Sequence, residues 1–300
     1  MKKILIYLFL LIIVFGIGII LIINQTNIKE DKVLKPKQES SKVDKLENDE
    51  KAKEQDDPQE EVEEKETKQR QFSEVVVEAV QGTIDYFSNK ETRVVAVGDS
   101  LTQGVGDSKG EGGYIGILDR TVNANKQLVT FDNYGVRGHK TNQLLKRLDD
   151  EEVSVAIEDA DIVLMTIGAN DIMKVVRENI TNLTFKDFVQ ERVDYEQRLR
   201  SIFDKIREIN PDTEIYLLGF YNPFDQYFEG IKELNTIVEE WNRTGTEVAA
   251  DYDAITFIPV DDLFEETDIN LFAEDNFHPN DLGYQRMAKR VLEYLTNNEG

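Results

Sequence analysis

Arg93-Val94-Val95-Ala96-Val97 runs without a break into Gly98-Asp99-Ser100-Leu101-Thr102-Gln103-Gly104. Val94 to Val97 are β-branched or small and lack polar/apolar alternation, as expected of a strand covered on both faces. The glycine and the short polar residues after it turn the chain into a helix start. Four further runs have the same character: Gln127 to Asn133, Asp161 to Ile167, Glu214 to Phe220 and Ile255 to Val260. Between and after them, three- and four-residue apolar spacings predict helices over Tyr114 to Val122, Asn142 to Leu148, Phe188 to Ile209, Ile231 to Ala249 and Leu282 to Leu295. Strands alternating with helices call for an α/β fold with a parallel sheet buried between helical layers.

Upstream of this region the chain changes character twice. Phe72, Val75, Val76, Ala79, Val80, Ile84 and Phe87 share one helical face, so a helix opens the folded part, residues 72–300. Residues 28–71 are dominated by Lys, Glu, Asp and Gln and cannot bury enough apolar surface to offset ordering, which reads as a solvated tether. Within residues 1–27, Lys2 and Lys3 precede an unbroken apolar or glycine run from Ile4 to Ile23, long enough for a bilayer core of about 30 Å. No small-residue cleavage pattern follows it. The expectation is an uncleaved transmembrane anchor with a cytoplasmic N-terminus and the rest of the chain outside the cell membrane.

The formal net charge is −24, and almost all of the excess falls in the folded part, because the tether carries both signs in near balance. Such a domain is repelled by phosphate backbones, so nucleic acid is not an expected partner. Cysteine is absent, which removes thiol nucleophiles, disulfides and thiolate metal sites. Asp261, Asp262, Glu265, Glu266, Asp268 and Glu274 are close together, but their spacing matches no EF-hand, and they read as a solvated acidic loop. No cofactor or metal is called for.

In a parallel sheet, function gathers at the carboxyl ends of the strands. Ser100 stands where a nucleophile can meet the free N–H groups of a helix start, although the same residues also suit a helix cap. Thr102 occupies the second glycine position of the Gly-x-Ser-x-Gly elbow, so that motif is not satisfied. Gly168-Ala169-Asn170-Asp171 ends the third run, and the Asn170 amide can donate to an oxyanion or can belong to a turn. Asn133-Tyr134-Gly135-Val136-Arg137-Gly138-His139 follows the second run, and either glycine can serve a ligand or a turn. Asp275-Asn276-Phe277-His278-Pro279 precedes the last helix, with a spacing that lets Asp275 orient the imidazole of His278. The chain has only two histidines, His139 and His278, so a serine hydrolase built on it must use one of them.

Taken together, Gly98-Asp99-Ser100-Leu101, the Asn133-x-Gly135-x-x-Gly138 loop, Gly168-Ala169-Asn170-Asp171 and Asp275-x-x-His278-Pro279 resemble the four sequence blocks of SGNH (GDSL-type) hydrolases, in the family's order. Residues 219–224, Gly-Phe-Tyr-Asn-Pro-Phe, also resemble its bacterial lipase-like members. The resemblance implies a three-layer α/β/α sandwich around a five-stranded parallel sheet of flavodoxin-like order 2-1-3-4-5. It further implies Ser100 as nucleophile, His278 as base and then acid, and Asp275 as its orienting carboxylate. The oxyanion would be held by the backbone N–H groups of Ser100 and Gly138 and by the Asn170 side chain. His139 stands where relatives often have Asp. The expected activity is hydrolysis of carboxylic esters. Acyl transfer to, or deacetylation of, a wall glycan is an alternative, and so is a catalytically silent binding domain. Tyr221, Phe224, Tyr227 and Phe228 are candidates for an acyl-pocket wall or, as aromatic clusters more often are, for ordinary core.

Overall fold

The computed structural model describes residues 86–88, 91–179, 181–182, 184–223, 232–265 and 269–297. The chain divides at residue 70 into two units, and everything described lies in the second. The expected anchor and tether lie outside the described residues, as do most of the opening helix, Phe224, Tyr227, Phe228, Glu266 and Asp268. No described helix is long and apolar enough to cross a membrane.

Five parallel strands form the sheet in the order β2-β1-β3-β4-β5. They are β1 (Thr92–Gly98), β2 (Val129–Gly135), β3 (Ile162–Thr166), β4 (Glu214–Leu218) and β5 (Ile255–Ile258). The sequence-based bounds agree to within two residues. Val94 to Val97 and Ile162 to Met165 are almost wholly buried, which is why these central strands read as continuous apolar runs. The register pairs Gly98 with both Gly135 and Thr166, and Thr166 with Leu218. The carboxyl ends of four strands are therefore level, and every loop singled out above leaves the same edge.

Eight α-helices are described after β1: α1 (Ser100–Gln103), α2 (Gly113–Val122), α3 (Thr141–Arg147), α4 (Glu151–Glu158), α5 (Ala169–Glu178), α6 (Phe185–Ile209), α7 (Lys232–Ala250) and α8 (Asp281–Asn297). Helices α2 and α8 bury Tyr114, Leu118, Val122, Met287, Val291 and Leu295 against Val94, Ala96, Leu164, Tyr216 and Leu218 on one face of the sheet. Alternate strand residues point to the other face, where Gly245 lets α7 close onto Leu217 and Phe257. On α6, Tyr195, Leu199, Ile202, Phe203 and Ile206 form a fully buried stripe at helical spacing. Each such side chain contributes about 1.5–3 kcal/mol. Pro211 follows the α6 cap, and Asn210 Nδ2 donates to the carbonyls of Ile157 and Ala160, joining this end of α6 to the end of α4.

Helices α4 and α5 were not expected. Helix α4 is only two turns long, with buried Val153, Ala156 and Ile157. Helix α5 begins inside the Gly-Ala-Asn-Asp block, whose residues read locally as a turn.

Candidate active site

Gly98 closes β1 with φ +148°, and a Cβ there would lie 2.1 Å from the Thr166 carbonyl oxygen. Only glycine allows β1 and β3 to meet at this point and the chain to turn straight into α1. Asp99 then caps α1, its Oδ1 accepting from Leu101 N–H at 3.0 Å and from the Thr166 hydroxyl at 2.9 Å. Thr102, at the elbow motif's glycine position, is joined to the same Thr166 hydroxyl at 2.7 Å through Oγ1 and at 3.1 Å through its N–H. Ser100 is thus held on the first residue of a helix tied to two strands. Asp99 supplies the cap, and the Ser100 hydroxyl is left facing His278.

Ser100 Oγ lies 2.9 Å from His278 Nε2, and His278 Nδ1 lies 2.5 Å from Asp275 Oδ2. The other Asp275 oxygen accepts the N–H groups of His278 at 3.0 Å and Phe277 at 3.1 Å, so the carboxylate is fixed by its own loop. Asn276 takes the left-handed conformation, φ 52°, that this tight turn needs. Burial raises the Asp275 carboxyl, but the His278 side chain and the two N–H groups outweigh it and hold the group down at about 2. Burial pushes Asp99 the other way, up to about 6, against its hydrogen bonds and the nearby His278. With Nδ1–H given to an ionised Asp275, the free Nε2 accepts from the serine.

The His278 loop is braced from three sides. Tyr221 Oη donates to Phe277 O at 2.9 Å, Ala273 N–H to His278 O at 2.9 Å, and Gly106 packs beneath His278 Cβ and the Pro279 carbonyl. The structure takes the core one of the two readings open for Tyr221. Its ring is buried and stacked on Phe264, with centroids 4.0 Å apart, so it is core that supports the histidine rather than an open acyl-pocket wall.

Opposite the serine turn, Asn170 Nδ2 donates to His139 O at 3.1 Å, which leaves its second N–H for a ligand. Among the described residues neither the Ser100 N–H nor the Gly138 N–H has a hydrogen-bond partner. Gly138 is exposed, with open space beside its Cα. The imidazole of His139 does not join the Ser100 relay. Its Nδ1 is buried without a partner, and burial followed by the Arg147 charge pushes the ring down from its ordinary value. In the acidic loop, Asp262 is engaged by Arg290 at 2.6 Å.

Sequence reasoning missed the residues that hold these groups from behind. Thr166 is a polar end to the apolar run Ile-Val-Leu-Met, and Glu191 falls on the buried stripe of α6 between Phe188 and Tyr195. A polar residue in an apolar phase was the available signal in both cases.

The comparisons bear on the same region. Residues 96–286 match the model of the GDSL-like Lipase/Acylhydrolase family. The uncharacterized protein YpmR of Bacillus subtilis (strain 168) is 38% identical over 206 residues, 67% of this chain and 80% of its own length. Among solved structures, the lipase Lip_vut3 from a goat rumen metagenome superposes with a TM-score of 0.60 at 23% identity, covering 67% of this chain and 95% of its own. The acetylxylan esterase Axe2 from Geobacillus stearothermophilus, as a catalytic mutant, gives 0.52 at 19% identity over 68% and 94%. The matched residues run from β1 to within α8 and include all four sequence blocks gathered at the sheet edge, and the chain belongs to the GDSL-like lipase/acylhydrolase family.

Proposed function

We propose that this chain is a serine esterase cleaving carboxylic esters through an acyl-enzyme on Ser100. The observation that carries the reading is the relay of Ser100 Oγ, His278 and Asp275, at 2.9 and 2.5 Å. His278 Nε2 removes the Ser100 proton as Oγ attacks the ester carbonyl carbon. Charge developing on the carbonyl oxygen is received by the N–H groups of Ser100 and Gly138 and the spare N–H of Asn170. His278 then protonates the leaving alcohol, and water repeats the cycle to release the acid. Asp275 keeps the imidazole in the one tautomer that can do this.

The test uses the full-length chain with p-nitrophenyl acetate and a fluorophosphonate probe. Ser100→Ala and His278→Ala should each abolish turnover, with no further loss in the double variant, because the pair acts as a unit. His139→Ala should retain most of kcat. Dependence on His139 with His278 dispensable would reverse the assignment. Product analysis with an added alcohol or glycan distinguishes hydrolysis from acyl transfer.

The cellular placement is part of the same proposal: the Ile4 to Ile23 run behind Lys2 and Lys3 supports a membrane-anchored enzyme with its domain on the extracytoplasmic face. Protease added to intact cells should then degrade the domain, while the untreated protein sediments with membranes. A freely soluble processed form would contradict it.

A further inference from the structure

Beneath the Gly138 and Asn170 loops lies a cluster of charged side chains that takes no part in the relay. Asp171, the residue after Asn170, is 1% exposed. Its Oδ2 accepts Thr141 N–H at 3.0 Å, and its Oδ1 accepts the Thr141 hydroxyl at 2.7 Å and Arg198 Nη2 at 3.1 Å. Arg198 also donates from Nε to Thr141 Oγ1 at 2.6 Å and from Nη2 to Glu191 Oε1 at 2.7 Å. Lys174 completes the set, 2.9 Å from Glu191 Oε2. Two cations face two carboxylates in a place where an unpaired charge would be costly.

The position of this cluster suggests its purpose. Asn170 and Asp171 are consecutive on α5, and they hold His139 O and Thr141, which flank the segment leading from Gly138 into α3. Arg198, from α6, bridges both sides of that grip. We propose that Arg198, acting through Asp171 and Thr141, is a positioning residue that sets the spacing of the Gly138 N–H and the Asn170 amide around the oxyanion. It has a second, electrostatic effect. With Arg198 removed, the Asp171 carboxylate would stand uncompensated one residue from the amide that receives negative charge, and would oppose the oxyanion. Burial already pushes the Asp171 carboxyl up, with Thr141 and Arg198 holding it down. The inference rests on the esterase reading and deepens it.

The test is steady-state kinetics of the full chain, with melting temperature and inhibition by a phenylboronic acid, whose tetrahedral adduct mimics the oxyanion. Arg198→Met should lower kcat by roughly 10–100-fold with KM within about twofold, and weaken boronate binding in parallel, since displacements of about 1 Å cost this much. Arg198→Lys keeps the charge but not the fork, and should fall between the two. Arg207→Met is the control: Arg207 donates to the Asp253 and Ala254 carbonyls at the opposite edge of the sheet, so its loss should lower the melting temperature without changing kcat. Unchanged kcat in both Arg198 variants, or an equal kcat loss in Arg207→Met, overturns the inference while leaving the esterase reading intact. An inactive wild type, or turnover surviving Ser100→Ala, removes both.

Discussion

Asp99 immediately precedes Ser100, is almost wholly buried, and has its carboxyl pushed up to about 6 by that burial. The folded chain therefore holds this proton more tightly than the unfolded chain, whose ordinary value is 3.8. Stability falls as pH rises from about 4 to about 6, and the cost, at most about 3 kcal/mol, is full above that. Asp99→Asn keeps an oxygen for Leu101 N–H and the Thr166 hydroxyl while removing the charge. It should melt higher than wild type at pH 8, with the difference gone at pH 4. A melting temperature at pH 8 equal to or below wild type would show that the charged form is not penalised. Asp99 also lies within electrostatic reach of His278, so removing its charge should lower kcat roughly tenfold in the stabilised variant. At the same scale, Asn170→Ala should lower kcat by roughly 10²–10³ with KM nearly unchanged, read from initial rates, because its bond strengthens only as charge develops.

At the scale of elements, the loop between α1 and α2 bears directly on the histidine. Gly106 has φ +99°, and a Cβ on it would lie 2.4 Å from Pro279 O and 3.0 Å from His278 Cβ. Gly106→Ala must shift this loop and the His278 loop relative to each other, and so disturb the His278–Ser100 contact. The expected result is a kcat roughly 10²-fold lower and slowed fluorophosphonate labelling. Gly110→Ala, in the same loop, meets nothing within 4 Å and should leave kcat within about twofold. Equal effects from the two would mean that loop strain, not the contact with His278, is responsible. Longer elements were legible in the sequence because their apolar phase repeats. Helix α6 was recovered from Phe188 onward on that basis, whereas α4 offers too few turns to show a period and α5 starts on residues with strong turn preference.

For the molecule as a whole, a net charge of −24 means self-repulsion among exposed carboxylates. Screening should relieve it: raising NaCl from about 20 to about 500 mM shortens the Debye length from about 20 Å to about 4 Å and should raise the melting temperature by several degrees. A flat or falling salt dependence would show that local pairs such as Arg290 with Asp262 already balance the field.

The sequence alone determined the strand runs, the layer order that alternating strands and helices impose, and the local pairing of Asp275 with His278. Each depends on residues within a few positions of one another, where chain geometry leaves few choices. Asp275 can cap the His278 N–H and hold its ring because three residues span one turn. The residues by themselves left two histidines open for Ser100; the family resemblance pointed to His278, and the tertiary structure places its Nε2 2.9 Å from Ser100 Oγ, 178 residues away in the chain. Only the tertiary structure decided that Thr166 ties Asp99 to Thr102, that Tyr221 supports the His278 loop, and that Arg198 joins Asp171 to Thr141 and Glu191. These pairings follow from the parallel register, which brings Gly98, Gly135, Thr166 and Leu218 to one edge. Polar partners at that edge come from different loops, and no periodicity along the chain records their distance through space.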